Sequence, residues 1–509
     1  MKPRPTETEL KFRVGEDVLA RLLDHPALQG PEHVAHLRSV YFDTPARDLG
    51  LSGLSLRVRD TGEGYIQTVK QRDGAGGFTR GEWEVKVPAE ALDLAALSKT
   101  PVEKVLKGKF AGLEPVFATT AERLVRSCRK GASLIEVGFD SGNISAGERS
   151  EPVHELELEL KEGDVSALFT LGRALVLETS IGLSFESKAD RGYRVLNQTQ
   201  FEPRLPGDLP CSSDASASEL FRQIARGCLA QAVANADLFR AVQRPEAVHQ
   251  MRVGLRRLGA ALAAFKPMLL DDKVTAIDGE LKWFTAELDT ARDLDVFIEG
   301  VFRPAAEIAD GPDFASLGRQ LLKAQTAGYE RAMAAVRSGR YAIMIFDAAT
   351  WIETGPWGRL EGAGLAGLRN SPAKTFAADA LDRLYRRACK RGRKFSRLDP
   401  GERHKLRIRA KELSYAADFF GSLFDGCGKA FAHFRSALKR VQDHLGALND
   451  LAVARERLLI EAALKQPKIA FAAGRITGRS ERDEPALLRT AAADFKRFHS
   501  AARFWRKRG

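Results

Sequence analysis

Along the first ~200 residues apolar and polar side chains alternate with a period of two, the spacing of strands that bury one face. Thr6-Glu7-Thr8-Glu9-Leu10-Lys11-Phe12-Arg13 places Glu7, Glu9, Lys11 and Arg13 on one side. Leu54-Ser55-Leu56-Arg57-Val58-Arg59 and Glu82-Trp83-Glu84-Val85-Lys86-Val87 repeat the alternation, and Glu155-Leu156-Glu157-Leu158-Glu159-Leu160-Lys161 is its most regular case. Turn signals separate the runs, at Asp73-Gly74, Gly76-Gly77 and Ser141-Gly142-Asn143. Helical spacing is predicted near 15–24, 89–107 and 165–179. Residues 201–216, FEPRLPGDLPCSSDAS, carry no period and read as a linker.

Beyond that linker the spacing is helical, and it repeats. His249-Gln-Met-Arg252-Val-Gly-Leu-Arg256-Arg257 is echoed by His404-Lys-Leu-Arg407-Ile-Arg-Ala-Lys411, an offset of 155. Leu288-Asp-Thr-Ala-Arg-Asp293 is echoed by Leu445-Gly-Ala-Leu-Asn-Asp450, an offset of 157. Two matches at nearly one offset predict two related helical bundles, about 217–368 and 372–509. The expected architecture is multidomain α+β: a β domain over 1–200, the linker 201–216, and an all-α domain over 217–509.

Charge divides along the same line. Residues 1–210 hold 28 Lys and Arg against 32 Asp and Glu (net −4); residues 211–509 hold 51 against 35 (net +16). A basic helical half implies a polyanion, whether nucleic acid, polyphosphate or an acidic membrane surface. The five cysteines, Cys128, Cys211, Cys228, Cys389 and Cys427, are scattered and form no C-x-x-C pair, which argues against a disulfide framework and a zinc site. The opening MKPRPTETEL lacks an apolar signal region and no apolar run approaches a membrane span, so a cytoplasmic protein is expected.

Taken singly, a charged row on a strand is the solvent face of an antiparallel sheet. The acidic row 155–159 has no cation within it, and same-sign charge at about 7 Å calls for a counter-charge. Cation-bearing strands, with Arg57, Arg59 and Lys70, could curl so that acids hold Mg²⁺ or Mn²⁺ and bases hold phosphate oxygens.

Those residues stand in an order that resembles the CYTH, or triphosphate tunnel metalloenzyme, superfamily. Glu7-Thr-Glu9-Leu-Lys11 resembles its E-x-E-x-K signature. Tyr41-Phe42-Asp43-Thr44-Pro45, Leu56-Arg57-Val58-Arg59, Thr68-Val69-Lys70, Arg80-Gly-Glu82-Trp83-Glu84, Arg123 with Arg126, the 155–160 row and Ser187-Lys188-Ala-Asp-Arg-Gly-Tyr193 follow. The resemblance implies an eight-stranded antiparallel barrel, a tunnel for a triphosphate. It implies that Lys11, Arg57, Arg59, Lys70, Lys86, Arg123, Arg126 and Lys188 clamp phosphate, and that Glu7, Glu9, Glu155, Glu157 and Glu159 serve the metal. Hydrolysis of tripolyphosphate to pyrophosphate and phosphate is the expected reaction; ATP, thiamine triphosphate or RNA 5′ ends are alternative substrates, as is a non-catalytic scaffold.

The helical half resembles the CHAD domain through Pro245-Glu-Ala-Val-His249-Gln-Met-Arg252, Arg292-Asp293-Leu-Asp295, His404-Lys-Leu-Arg407 and the basic run 386–394. That resemblance implies inorganic polyphosphate binding by His249, Arg252, Arg256, Arg257, Arg386, Arg387, Lys390, Arg393, His404, Arg407, Lys411 and Lys439, with localisation on polyphosphate granules as one hypothesis. Specific nucleic-acid binding is not expected, because stacking aromatics and a DNA-reading motif are missing from the basic helices. Nothing specific is legible in the last ~45 residues.

Overall fold

The computed structural model describes residues 6–71, 78–199, 201–207, 214–308, 312–424, 426–462 and 467–506. The turn signals at 73–77 and the linker positions 208–213 lie outside them. By packing the chain divides into two compact units. The first is 1–207 with 229–250 and 337–355; the second is 208–228, 251–336 and 356–509.

The first unit is built on β1 (Thr6–Arg13), β2 (Glu32–Asp43), β3 (Leu54–Asp60), β4 (Tyr65–Gln71), β5 (Thr79–Val87), β6 (Glu114–Lys130), β7 (Ser133–Ala146), β8 (Arg149–Glu162) and β9 (Gly182–Ser184). All pair antiparallel in the order β5-β4-β3-β2-β6-β7-β8-β1-β9. Among the described residues the count is nine rather than the expected eight, because the three-residue β9 adds beside β1. β1 also pairs with β5 through Thr6↔Gly81, Glu7↔Arg80 and Thr8↔Thr79, the seam at which an eight-stranded barrel would close.

The period-two pattern explains the faces. Leu54, Leu56 and Val58 are buried on one side of β3 and pack with Val40, Val69, Leu97 and Val102, while Ser55, Arg57 and Arg59 take the other. Along β8, Leu156 and Leu158 are fully buried beneath the sheet and the glutamates face the opposite side. The helices predicted near 15–24 and 165–179 are present as Glu16–Leu23 and Val165–Thr179. The one predicted near 89–107 is two short helices, Leu94–Leu97 and Val102–Leu106, since Pro101 cannot continue a helix from Thr100. Helix Gly339–Thr354 joins this unit: Phe346 stacks on Phe12 and meets Phe169 at a tilt, each at 6.1 Å, and Gly172 leaves room for its ring.

Each half of the helical sequence contributes the same series of four long helices, of which 229–250 pack with the first unit and the remaining described residues with the second. The first series is Ala217–Val242, Pro245–Phe265, Lys273–Phe297 and Pro312–Val336; the second is Ala373–Gly392, Pro400–Phe420, Gly428–Ala462 and Pro467–Ser500. The last of these, featureless in sequence, packs Ile469, Ala472, Ala473 and Ile476 against Leu294, Phe314, Leu317 and Leu321, tying the two series together. Asp399 caps Pro400–Phe420 with a reciprocal bond to Glu402 and Pro400 at the first turn, which sets where His404 begins its face. No helix among the described residues is long and apolar enough to cross a membrane.

Candidate active site

Directly opposed residues of antiparallel strands share a face, so the register assembles the charges. On β8, Glu159 stands between Glu9 and Glu136, Glu157 between Lys11 and Gly138, and Glu155 between Arg13 and Asp140. On the other side Arg57 stands opposite Tyr41 and Thr68, Lys70 opposite Glu82, and Arg123 opposite Asp140. These rows line a cavity of about 240 Å³ whose walls include Glu7, Glu9, Lys11, Arg57, Arg59 and Lys70. Arg123, Glu157, Glu159 and Lys188 line it too.

One end is a dense ion network. Lys188 Nζ lies 2.7 Å from Asp140, 2.6 Å from Glu155 and 2.9 Å from Glu157. Lys11 Nζ lies 2.6 Å from Glu157 and 2.8 Å from Glu9. Arg123 forks onto both Asp140 oxygens, at 2.6 and 2.5 Å, and reaches Glu157 as well. Its guanidinium lies in the space left by Gly138, where an added Cβ would sit 3.3 Å from the guanidinium carbon. Ser187 and Asp190 cap helix Lys188–Asn197 reciprocally, which aims Lys188 from the first turn. Burial alone would raise the Glu157 carboxyl, but Lys11, Lys188 and Arg123 hold it well below the usual carboxylate range. Burial likewise opposes charge on Lys188, yet its three carboxylates raise its pKa.

The other end is poorer in cations. Lys70 lies 2.7 Å from Glu7 and 3.1 Å from Glu82, and Lys161 lies 2.8 Å from Glu159 and 3.3 Å from Glu136. Burial raises the Glu159 carboxyl, Lys161 only partly offsets this, and Glu7 and Glu136 raise it further. A wall of cations faces the acids: burial and the neighbouring Arg57 and Arg123 bring Arg59 down to about 10. Burial would raise the phenol of Tyr41, but Arg57, Arg59 and Lys188 outweigh it and lower its pKa.

Among the described residues one group of acids brings its oxygens close enough together to hold a divalent cation. Asp140, Glu155 and Glu157 offer oxygens within 4.8 Å of one another. Lys188 Nζ already bonds all three, and Arg191 takes Glu155 at 2.7 Å. Glu7, Glu9, Glu136 and Glu159 also line the cavity and carry hard oxygen donors of the kind Mg²⁺ or Mn²⁺ takes.

Most of the expected clamp is brought together, with three exceptions. Arg126 lies on the opposite face of β6, bound to Glu32 at 2.7 Å and the Leu23 carbonyl at 2.5 Å, over the Phe139 ring. Three residues separate it from Arg123, so a period of two cannot put both in the cavity. Lys86 is exposed on the strand face that carries Glu82 and Glu84, beyond the cavity walls. Glu155 is buried behind them, held by Lys188 and Arg191. Conversely Tyr41, Glu82, Glu84, Glu136, Asp140 and Lys161 belong to the site but were not among the expected residues. Glu136-Val-Gly138-Phe-Asp140 has the same alternation as 155–159 and could have signalled the second acidic row. Asp43, in the Tyr41–Pro45 motif, is structural: it accepts from the backbone of Thr44, Leu49 and Gly50 and from the Tyr193 hydroxyl at 2.6 Å.

In the second unit a smaller basic cluster forms. Arg252 pairs with Asp289 at 2.6 Å and Asp293 at 3.0 Å, and Arg256, Arg407 and Lys411 crowd beside it. Burial and the neighbouring Arg407, Arg256 and Arg252 press Lys411 down to about 7. Arg257 is turned inward over the Phe419 ring at 5.4 Å. His404 is exposed, with Nδ1 2.7 Å from Asn449, and half-buried His249 opens the helix that carries Arg252. Arg386, Arg387, Lys390 and Arg393 form an exposed strip on helix Ala373–Gly392 and just past its end. Lys439 is exposed and pairs with Asp443 one turn on, apart from the cluster.

Comparison with known proteins agrees with this division. Residues 5–193 match the CYTH domain family and residues 223–459 the CHAD domain family. The inorganic triphosphatase of Haemophilus influenzae is 32% identical over 172 residues, a match covering 32% of this chain and 47% of that protein, about half its length. An uncharacterized protein of Mycobacterium tuberculosis is 27% identical over 497 residues, covering 90% of each chain. The crystal structure of a CHAD domain from the plant Ricinus communis is 29% identical, covers 58% of this chain and 96% of that one, and superposes with a TM-score of 0.50. The chain therefore belongs to the proteins that join an N-terminal CYTH domain to a C-terminal CHAD domain.

Proposed function

We propose that the N-terminal cavity hydrolyses inorganic triphosphate to pyrophosphate and phosphate with Mg²⁺ or Mn²⁺, and that the helical domain binds inorganic polyphosphate. The observation that carries the first part is a cavity whose walls interleave Lys11, Arg57, Arg59, Lys70, Arg123 and Lys188 with carboxylates. The functional division follows the sequence, with the tunnel in 1–200, the linker at 201–216 and the polyphosphate domain in 217–509. A triphosphate carries about four negative charges, which repel a water nucleophile until fixed cations take them up.

Arg57, Arg59, Lys11, Arg123 and Lys188 bind the phosphate oxygens. Asp140, Glu155 and Glu157 keep those cations charged and oriented before substrate arrives, so little reorganisation is needed at the moment of reaction. Water oxygen attacks the terminal phosphorus, the bond to the bridging oxygen breaks, and the electron pair leaves on pyrophosphate, whose growing charge falls on the arginine wall. A divalent cation held by Glu7, Glu9, Glu136 and Glu159 supplies charge neutralisation and water activation when bound. Lys86, at the edge of the same strand face, guides the polyanion in.

The deciding measurement is phosphate release from tripolyphosphate with Mg²⁺, Mn²⁺ or chelator, beside ATP. Metal-dependent release that fails on ATP is expected. Preference for ATP would move the activity to nucleotides, and no turnover on any triphosphate would leave a binding protein. The helical domain, through Arg252, Arg256, Arg407, Lys411 and the 386–393 strip, would hold the enzyme on polyphosphate granules in the cytoplasm. Charge reversal at Arg407 and Lys411 is expected to disperse it.

A further inference from the structure

The two helical repeats carry their cations at equivalent positions but not their acids. Arg252 corresponds to Arg407, Arg256 to Lys411 and Asp293 to Asp450. Asp289, one turn before Asp293, corresponds to Gly446. In the first repeat Asp289 and Asp293 reach across to the two Nη atoms of Arg252 at 2.6 and 3.0 Å, and Arg252 is nearly buried. An anion reaching that guanidinium must displace two carboxylates from two charge-assisted bonds.

The second repeat is different. The Nε of Arg252 and that of Arg407 are alike buried without a hydrogen-bond partner, but Arg407 has no acidic partner at ion-pair distance among the described residues, whereas Arg252 has two. Asp450 acts on Lys411. Gly446 lies inside helix Gly428–Ala462, and a Cβ there would meet nothing within 4 Å. Packing therefore does not require glycine, although glycine in a helix interior costs about 1 kcal/mol relative to alanine. What glycine does at 446 is leave the position equivalent to Asp289 without a carboxylate.

We infer that the basic cluster holds its polyanion asymmetrically: Arg407 and Lys411 of the second repeat form the open anchor for phosphate, and Asp289 is a resident counter-ion that restrains Arg252 in the first. This rests on the reading that the helical domain binds polyphosphate. It assigns Asp289 and Gly446 as the positions that set strength and polarity of binding, with the chain of phosphates seated first on the second repeat. The burial of Lys411 among Arg252, Arg256 and Arg407 fits such an anchor, because phosphate relieves the crowding.

The test uses the full-length protein in chelator, with long-chain inorganic polyphosphate as the titrant. Gly446→Asp is expected to weaken binding about tenfold by giving Arg407 the carboxylate that Arg252 has, and Asp289→Gly to tighten it severalfold. Gly446→Ala is expected to bind as the unaltered protein does, and the double variant Asp289→Gly/Gly446→Asp to return towards it. Melting curves identify any variant that fails to fold. Equal affinities for Gly446→Asp and the unaltered protein would overturn the inference, as would equal losses for Gly446→Ala and Gly446→Asp. If the unaltered protein binds no polyphosphate, the reading of the domain fails first and the asymmetry with it.

Discussion

The β cavity and the helical basic cluster both present buried lysines and arginines, but they treat charge in opposite ways. Lys188 sits among Asp140, Glu155 and Glu157, and despite its burial its pKa is raised. Lys411 sits among Arg407, Arg256 and Arg252, and burial plus that company brings it down to about 7. The first arrangement fixes cations in place by paired carboxylates, as the proposed chemistry on one phosphoryl group would require. The second leaves positive charge crowded, which on the proposed reading a bound polyanion would relieve. Two lysines of the same intrinsic chemistry thus differ through their neighbours alone.

The largest effect expected on this contrast is from Glu157→Gln. It removes the carboxylate shared by Lys11, Lys188 and Arg123. Tripolyphosphate turnover is expected to fall by about 10²–10³, in line with losing preorganised electrostatics, while polyphosphate binding by the helical domain stays within about twofold of its original strength because no contact there changes. A loss of both would break the separation of roles.

Stability should separate the two lysines next. Lys188→Met leaves three buried carboxylates short of a cation and is expected to cost about 3–5 kcal/mol in denaturant unfolding. Lys411→Met removes a crowded cation and should be neutral or stabilising near neutral pH. The folded pKa of Lys411 is below its unfolded value, so the folded form binds fewer protons between about 7 and the ordinary lysine range. Stability therefore rises with pH across that window, and Lys411→Met should remove this slope.

The same titration sharpens the binding side. Lys411 must be protonated to hold phosphate, so polyphosphate affinity should fall as pH rises above about 7, by at most about tenfold per unit. Lys411→Arg should flatten that profile; an unchanged profile would remove Lys411 from the anchor. The smallest effect concerns Arg126, which braces Glu32 and the Leu23 carbonyl outside the cavity. Arg126→Ala should cost about 1 kcal/mol of stability and leave turnover within about twofold.

Much of the β domain was legible because strand alternation is a local signal. The rows at 7–13, 54–59, 82–87 and 155–161 all became strands, and their charged members share faces as the period demands. The pair Arg123 and Arg126 misled for the same reason: motif order placed both in the clamp, while a separation of three sends them to opposite faces. Asp140 escaped notice because its strand is mostly apolar, and only the register with Arg123 and Glu155 shows that it faces the charges.

Local pattern alone determined the strand faces, the helical repeat at offsets 155 and 157, and the accumulation of positive charge in the second half, since periodicity and composition need no knowledge of distant partners. Tertiary structure decided which acids neutralise which bases, and so which remain to meet phosphate. It set Lys188 at the centre of Asp140, Glu155 and Glu157, and Asp289 against Arg252 with glycine at the matching position. Charge interactions depend on distance and burial, and residues far apart in the chain acquire both only when it folds.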